Sequence, residues 1–504
     1  MLCEPWKQLK SGTDIRGVAL EGVEGQNVNL TDEVIHTIGG AFALWLMEKT
    51  GKTEPLVALG RDSRISGPRI MDALTKVLSD KGIRVIRCGL ASTPAMFMTT
   101  IDLETDAAIQ ITASHHPFNR NGLKFFLPTG GLEGSDITEI LTLCQEGKAA
   151  PDKNGYKKVM ESTYMNTYAA RLRKMICDGV GGGDRPLEGF KVTVDAGNGA
   201  GGFYVEKVLK PLGADTTGSQ FLEPDGSFPN HIPNPENKVA MEFACRAVKE
   251  NGADLGIIFD TDVDRAGCVD STGKEINRNR LVALSSVIAL QGNEGGAIVT
   301  DSITSSGLKT FIEKNLGGTH VRFKRGYKNV INKAIEMNNE GINTPLAIET
   351  SGHAALRENY FLDDGAYLAT RILIEAAKMK KEGRDLVELI ADLEEPLEAF
   401  ELRFDITEAD FATYGKDLLA KLEEYGKKEG WAVADDSFEG VRISFGKGEG
   451  DGWFLLRLSV HDPVMPLNVE SGSEGGCKVI LEKLGAFLSQ FDALDLTPLK
   501  EFLK

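Results

Sequence analysis

Short apolar runs rich in β-branched residues alternate with longer amphipathic stretches through about the first three-quarters of the chain. Such runs lie at residues 56–60, 107–112, 191–194, 254–259, 297–300 and 346–348. Each has the length of a strand, and the segments between them have helical periodicity, so the pattern predicts α/β architecture. Three runs lead directly into reactive clusters. Residues 107–111 precede Thr112-Ala113-Ser114-His115-His116, residues 255–259 precede Asp260-Thr261-Asp262, and residues 346–348 precede Glu349-Thr350-Ser351-Gly352-His353. Ligands of open α/β sheets bind beyond the carboxyl ends of strands, so three related domains facing one central cleft are expected. Past about residue 398 the pattern changes to a strand-like run at 399–404, a charged helical stretch at 412–427, Gly-rich turns at 446–452 and a strand-like run at 453–459. The expected fold class is therefore α/β: three similar α/β domains with mixed sheets and a smaller α+β C-terminal domain. The expected boundaries are 1–160, 161–275, 276–397 and 398–504.

A chain of 504 residues exceeds what one hydrophobic core supports, which agrees with several domains around a cleft. The formal net charge of −17 argues against an extended nucleic-acid surface but leaves room for a small phosphorylated ligand held by local cations. No apolar run is long enough to cross a bilayer, so no membrane association is expected. The opening residues have neither the pattern of a secretory signal nor that of a transit peptide, and cytoplasm is the expected location. Seven cysteines, odd in number and scattered, lack the spacing of a zinc site or a disulfide framework and read as reduced thiols.

Ser114 stands where a strand ends abruptly, with Pro117 and Asn121-Gly122 predicting a tight exposed loop that aims its hydroxyl at the cleft. A serine carries a phosphoryl group where cations neutralise it and a base takes its proton; His115, His116 and Lys124 are the local candidates. No Gly-x-Ser-x-Gly frames it, which disfavours acyl hydrolysis. Asp260-Thr261-Asp262-Val263-Asp264-Arg265 sets three carboxylates at alternate positions, suited to one hard cation such as Mg²⁺, with Arg265 available for an anion beside it. An EF-hand reading fails, because Arg265 stands at the sixth position in place of Gly and Ser271 at the twelfth in place of Glu. Glu349, Ser351 and His353 suit vicinal hydroxyls and a titrating group. Arg457 and Ser459, in Arg457-Leu458-Ser459-Val460-His461-Asp462-Pro463, could clamp a phosphate. Taken singly, each of these segments also reads as an ordinary polar turn.

Taken together, in this order and over essentially the whole chain, they resemble the α-D-phosphohexomutase family. Gly12-Thr13-Asp14-Ile15-Arg16-Gly17 is similar to the family's Gly-Thr-x-Gly-Ile-Arg-Gly, and Gly60-Arg61-Asp62-Ser63-Arg64 to its Gly-x-Asp-x-Arg. The resemblance implies an isomerase of carbohydrate metabolism, an intramolecular phosphotransferase that interconverts hexose 1-phosphate and hexose 6-phosphate of glucose or mannose. It implies phospho-Ser114, with Mg²⁺ held by Ser114, Asp260, Asp262 and Asp264, and a hexose 1,6-bisphosphate as activator and intermediate. Arg16, Lys124 and Lys324 would be cations near the transferred phosphate and sugar, supported by Arg265. Glu349 and Ser351 would take sugar hydroxyls, and His353 would be an acid or base. Arg457, Ser459 and His461 would hold the unreacting phosphate. The protein would act on a small sugar phosphate as a monomer or homodimer. Phosphoglucosamine mutase, or a catalytically weak sugar-phosphate binder, are the alternatives. The sequence departs from the family pattern at His116, where Asn is usual, and at Val460, His461 and Pro466 in the terminal loop, where His461 takes the place of a Thr donor and Pro466 removes a cation.

Overall fold

The computed structural model describes residues 2–153, 158–459 and 462–504. Two compact units form, Met1–Asn277 with Ser351–Glu388, and Arg278–Thr350 with Leu389–Lys504.

The first unit holds two sheets. In the eight-stranded one, Leu56–Arg61 lies between Ala107–Ile111 and Arg84–Leu90, parallel to both, while Arg120–Leu127 runs antiparallel between Ala107–Ile111 and Asp14–Val18. The apolar side chains of these strands and of helix Asp32–Thr50 make one core, in which the rings of Phe42 and Phe125 lie 5.0 Å apart. In the four-stranded sheet, Val192–Asp195 and Leu255–Phe259 are parallel, and Ala266–Val269 returns antiparallel to the latter. Leu255–Phe259 is buried at every position, which explains why it reads as an unbroken apolar run rather than an alternating one.

Two helix starts in this unit place polar groups. Ser92 caps helix Thr93–Asp102, accepting from the Ala95 N–H, with Pro94 in its first turn. Asp364 caps helix Gly365–Lys381 by accepting from the Tyr367 N–H at 2.9 Å, and Lys378, Lys380 and Lys381 complement the dipole at its other end.

In the second unit, Thr319–Phe323, Ala297–Asp301 and Leu346–Ile348 run parallel. A separate five-stranded sheet is antiparallel throughout, in the order Glu398–Asp405, Val464–Ser471, Gly452–Leu456, Val441–Phe445, Ala432–Val433. Helices Phe411–Lys428 and Gly476–Leu488 contribute Leu418, Leu422, Ile480 and Leu484 to its core. The chain thus has three α/β layers and a terminal antiparallel α+β sheet.

One expected strand is too long. The run at 453–459 ends as a strand at Leu456, because the neighbouring strand carries Pro466. The Pro466 carbonyl still accepts from the Arg457 N–H at 3.1 Å and the Val464 carbonyl from the Ser459 N–H at 3.0 Å, but proline has no N–H to return, so the pairing beyond Leu456 is one-sided and no longer a regular strand. Arg457 and Ser459 consequently sit in a loop.

Candidate active site

Ala107–Ile111 is wholly buried, and three residues beyond its end Ser114 adopts a left-handed backbone with φ +50°. That conformation costs a non-glycine residue about 1–2 kcal/mol and persists only where the surroundings impose it. Here the Ser114 N–H donates to Thr112 Oγ1 at 2.9 Å, and Thr112 Oγ1 donates to Asp62 Oδ2 at 2.7 Å. Arg64, fully buried, closes the loop from behind. Its guanidinium donates to the carbonyls of Ser114, His116, Pro117 and Arg120, the last three at 2.7–2.8 Å, and its Nε lies 3.2 Å from Asp62 Oδ2. Replacing Arg64 with Met would leave these carbonyls and a buried carboxylate without their cation, so Arg64→Met is expected to cost about 3–5 kcal/mol of stability. Arg64→Lys, with three donors in place of five, should recover part of it. Chemical denaturation measures both; an unchanged midpoint for Arg64→Met would remove Arg64 from this role.

Two expectations about the serine loop are corrected. Ser114 is only 4% exposed, so the loop does not present it openly. Asn121-Gly122 is not a turn but part of strand Arg120–Leu127. Gly122 faces Arg16 across the ladder, and a Cβ there would lie 2.5 Å from the Ile15 carbonyl and 2.9 Å from that of Thr112. Close backbone packing requires the glycine, rather than a bend.

Asp260, Asp262 and Asp264 are all buried, and each offers a carboxylate oxygen within 4.8 Å of the others. Between them Val263 has φ +67°, a genuine outlier for a β-branched residue. It is pinned by the Gly365 N–H donating to its carbonyl, while the Thr93 N–H and hydroxyl donate to the carbonyl and carboxylate of Asp262. Ser114 Oγ donates to Asp260 Oδ2 at 3.2 Å and accepts from Arg265 Nη2 at 3.0 Å. Arg265 also donates through its backbone N–H and Nε to the two oxygens of Asp260, both at 3.2 Å. Lys124 donates to Asp262 and Asp264. Oδ1 of Asp262 and Oδ1 of Asp264 are buried without a hydrogen-bond partner among the described residues. Three converging carboxylates, two of whose oxygens accept no hydrogen bond among the described residues, fit a hard divalent cation.

The charges are strongly coupled. Burial, then the charges of Asp264 and Asp262, pushes the Asp260 carboxyl well above its ordinary range. Burial opposes ionisation of Asp264 too, but Lys124, His353 and Arg265 outweigh it and hold that carboxyl low. His115 Nδ1 accepts from Arg265 Nη2 at 2.6 Å and lies 3.3 Å from Ser114 Oγ. Desolvation by the surrounding protein, then Arg265, lowers this imidazole even though part of His115 is exposed, and desolvation, then Arg16, lowers that of His116. His353 is the opposite case: burial disfavours its charge, but Asp363, which pairs with Nδ1, and Asp264 outweigh burial and raise it. Arg16 donates to Asp14 Oδ2 at 2.7 Å, and Ser351 is buried. The structure thus brings Ser114, Lys124, the three aspartates and Arg265 into one network of contacts, with His353 within electrostatic reach.

In the second unit, Glu349 is buried and accepts from the Gly326 N–H at 2.7 Å, which ties it to the loop carrying the exposed Lys324. Thr350 Oγ1 donates to Asp301 Oδ2 at 2.8 Å. Ser459 Oγ accepts from the Asp462 N–H at 3.3 Å. His461 lies outside the described residues.

Residues 7–150, 168–273 and 277–396 match, in turn, the models for α/β/α domains I, II and III of phosphoglucomutase/phosphomannomutase. A phosphoglucomutase of Neisseria meningitidis is 30% identical over 94% of this chain and 95% of its own length. The chain belongs to the phosphoglucomutase/phosphomannomutase family. Among its other relatives, a phosphoglucomutase/phosphomannomutase of Thermococcus kodakarensis is 32% identical over 93% of this chain and 95% of its own. The crystal structure of a phosphoglucomutase/phosphomannomutase family protein from Burkholderia thailandensis superposes with a TM-score of 0.78 at 26% identity, covering 97% of this chain and 98% of that one.

For this family member, sequence reasoning missed the work of Asp62 and Arg64. In the sequence they read only as part of a family motif; Arg64 acts on carbonyls more than 50 residues away, and Asp62 on the hydroxyl of Thr112 and on Arg64 itself. Thr93 and Asp363 were missed altogether, and no local signal marks either one.

Proposed function

We propose that the protein is a phosphohexomutase that interconverts the 1- and 6-phosphates of glucose, mannose or both through phospho-Ser114 and a hexose 1,6-bisphosphate. The observation that carries this reading is the setting of Ser114 Oγ, held between the guanidinium of Arg265 and the carboxylate of Asp260 beside two carboxylate oxygens that accept no hydrogen bond among the described residues. A serine so placed suits phosphoryl transfer, in which positioning and neutralisation of spread negative charge do most of the catalysis.

Asp260, Asp262 and Asp264 would hold Mg²⁺ together with phospho-Ser114, and the ion would neutralise charge on the phosphoryl oxygens. In the first transfer the bond from Ser114 Oγ to phosphorus breaks as one forms to the free hydroxyl of the hexose monophosphate, giving the bisphosphate. In the second, the other phosphate returns to Ser114. His353, oriented through Nδ1 by Asp363, exchanges the proton with the sugar hydroxyl. Arg265, Lys124 and Arg16 counter the phosphoryl charge. Glu349 and Ser351 take sugar hydroxyls, Lys324 a sugar or phosphate oxygen, and Arg457, Ser459 and His461 the phosphate that is not reacting. The division at 1–160, 161–275, 276–397 and 398–504 belongs to the same reading.

A coupled assay with glucose 1-phosphate, mannose 1-phosphate and glucosamine 1-phosphate, each with Mg²⁺ and a trace of the matching bisphosphate, tests it. Turnover of glucose or mannose phosphate is the expected result. Turnover of the glucosamine compound alone would change the sugar, and silence with all three would leave only a sugar-phosphate binder.

A further inference from the structure

Within the second unit, the tripeptide Phe438-Glu439-Gly440 enters strand Val441–Phe445, and each of its residues makes a different contact. The ring of Phe438 lies 5.0 Å from that of Phe323, the residue before Lys324. Glu439 Oε1 accepts from Ser302 Oγ at 2.7 Å, Oε2 accepts from the Arg325 N–H at 2.9 Å, and Oε1 stands 3.7 Å from Arg457 Nε. Gly440, at φ +68°, is pressed on the backbone at Arg457: a Cβ there would lie 2.1 Å from the Leu456 carbonyl oxygen and 2.8 Å from Arg457 Cα. One residue past strand entry, Arg442 Nη1 donates to the Ser302 carbonyl at 3.1 Å. On the other side of the Lys324 loop, the Gly326 N–H donates to Glu349. Glu349, the Arg325-Gly326 backbone, Glu439 and Arg457 therefore form one continuous chain of polar contacts.

We propose that Glu439 is a positioning residue that fixes the separation between Glu349 and Arg457, and so matches the distance from sugar hydroxyls to the unreacting phosphate. This rests on the roles given above to Glu349 and Arg457. Both Glu439 oxygens are engaged by Ser302 and Arg325, whereas Arg457 is met at ion-pair distance, and its Nε has no hydrogen-bond partner among the described residues. The carboxylate thus orients the guanidinium without consuming its hydrogen bonds. A ligand that touches both Glu349 and Arg457 gains from a spacing set in advance, because less ordering is left to binding. A ligand that touches Arg457 alone does not.

That difference is the test. Dissociation constants for glucose 6-phosphate and for inorganic phosphate are measured on the full-length protein and on Glu439→Ala, Glu439→Gln and Arg457→Ala. Glu439→Ala should weaken glucose 6-phosphate by about tenfold, the order expected for loss of a charge-assisted contact, and leave inorganic phosphate within about twofold. Glu439→Gln, which keeps the shape and one acceptor, should fall between Glu439→Ala and the unaltered protein, and it carries the test if Glu439→Ala fails to fold. Arg457→Ala should weaken both ligands. Equal weakening of both ligands by Glu439→Ala would reduce Glu439 to a support for Arg457, and tighter phosphate binding would make it a competing anion; either overturns the proposal. If Arg457→Ala changes neither ligand, the assigned phosphate loop is wrong, and the proposal falls with it.

Discussion

Ser114→Ala is expected to lower kcat by about four to six orders of magnitude, the scale seen when an enzyme loses a covalent nucleophile, and to leave the fold intact. The substitution removes one hydroxyl that donates to Asp260 and accepts from Arg265, but Arg265 keeps its bonds to both oxygens of Asp260. Nor does it change the backbone demand, since alanine meets the same strain as serine at φ +50°. Glycine does not, so Ser114→Gly should be as inactive as Ser114→Ala yet more stable by about 1 kcal/mol. Intact mass supplies the second readout: protein isolated with a phosphate-sized increment should lose it in both variants. Near-normal turnover in Ser114→Ala would end the phosphoserine mechanism. An increment that survives the substitution would place the phosphate on another residue.

The parts of this site that were legible in the sequence are those whose logic is local. Asp260, Asp262 and Asp264 stand at alternate positions directly after an apolar strand, and the structure gathers their carboxylates as that spacing implied. Leu346–Ile348 coincides with its expected run, because a short buried strand between polar segments has few competing readings. What stayed hidden depends on distant partners or on strain. A valine at φ +67° gives no sequence signal, since its side chain favours the extended conformation that the loop denies it. Asn121-Gly122 reads as a turn, and only the carbonyls of Ile15 and Thr112 pressed against Gly122 reveal why the glycine is there. Likewise the early end of strand Gly452–Leu456 is written in Pro466 on the neighbouring strand.

Chelation is expected to abolish turnover and Mg²⁺ to restore it, but the sharper experiment is the thermal stability of Asp262→Asn. In the unaltered protein three buried carboxylates repel one another, and burial first, then that repulsion, raises the Asp260 carboxyl. A bound divalent cation relieves it. Mg²⁺ at about one hundred times its dissociation constant should stabilise the unaltered protein by about 2.7 kcal/mol. Asp262→Asn withdraws one charge from the cluster while keeping an oxygen that can accept from Thr93. With chelator present, the variant should therefore unfold at or above the temperature of the unaltered protein. With Mg²⁺ it should gain little, and its turnover should fall by at least about two to three orders of magnitude, the scale of losing one electrostatic contact in the transition state. The two stability curves should cross as Mg²⁺ is added. That crossing separates a cation site from an acidic turn held by protein contacts alone, Arg265, Lys124 and Thr93 among them: if the three carboxylates serve structure alone, Asp262→Asn is the less stable protein under both conditions and Mg²⁺ shifts neither.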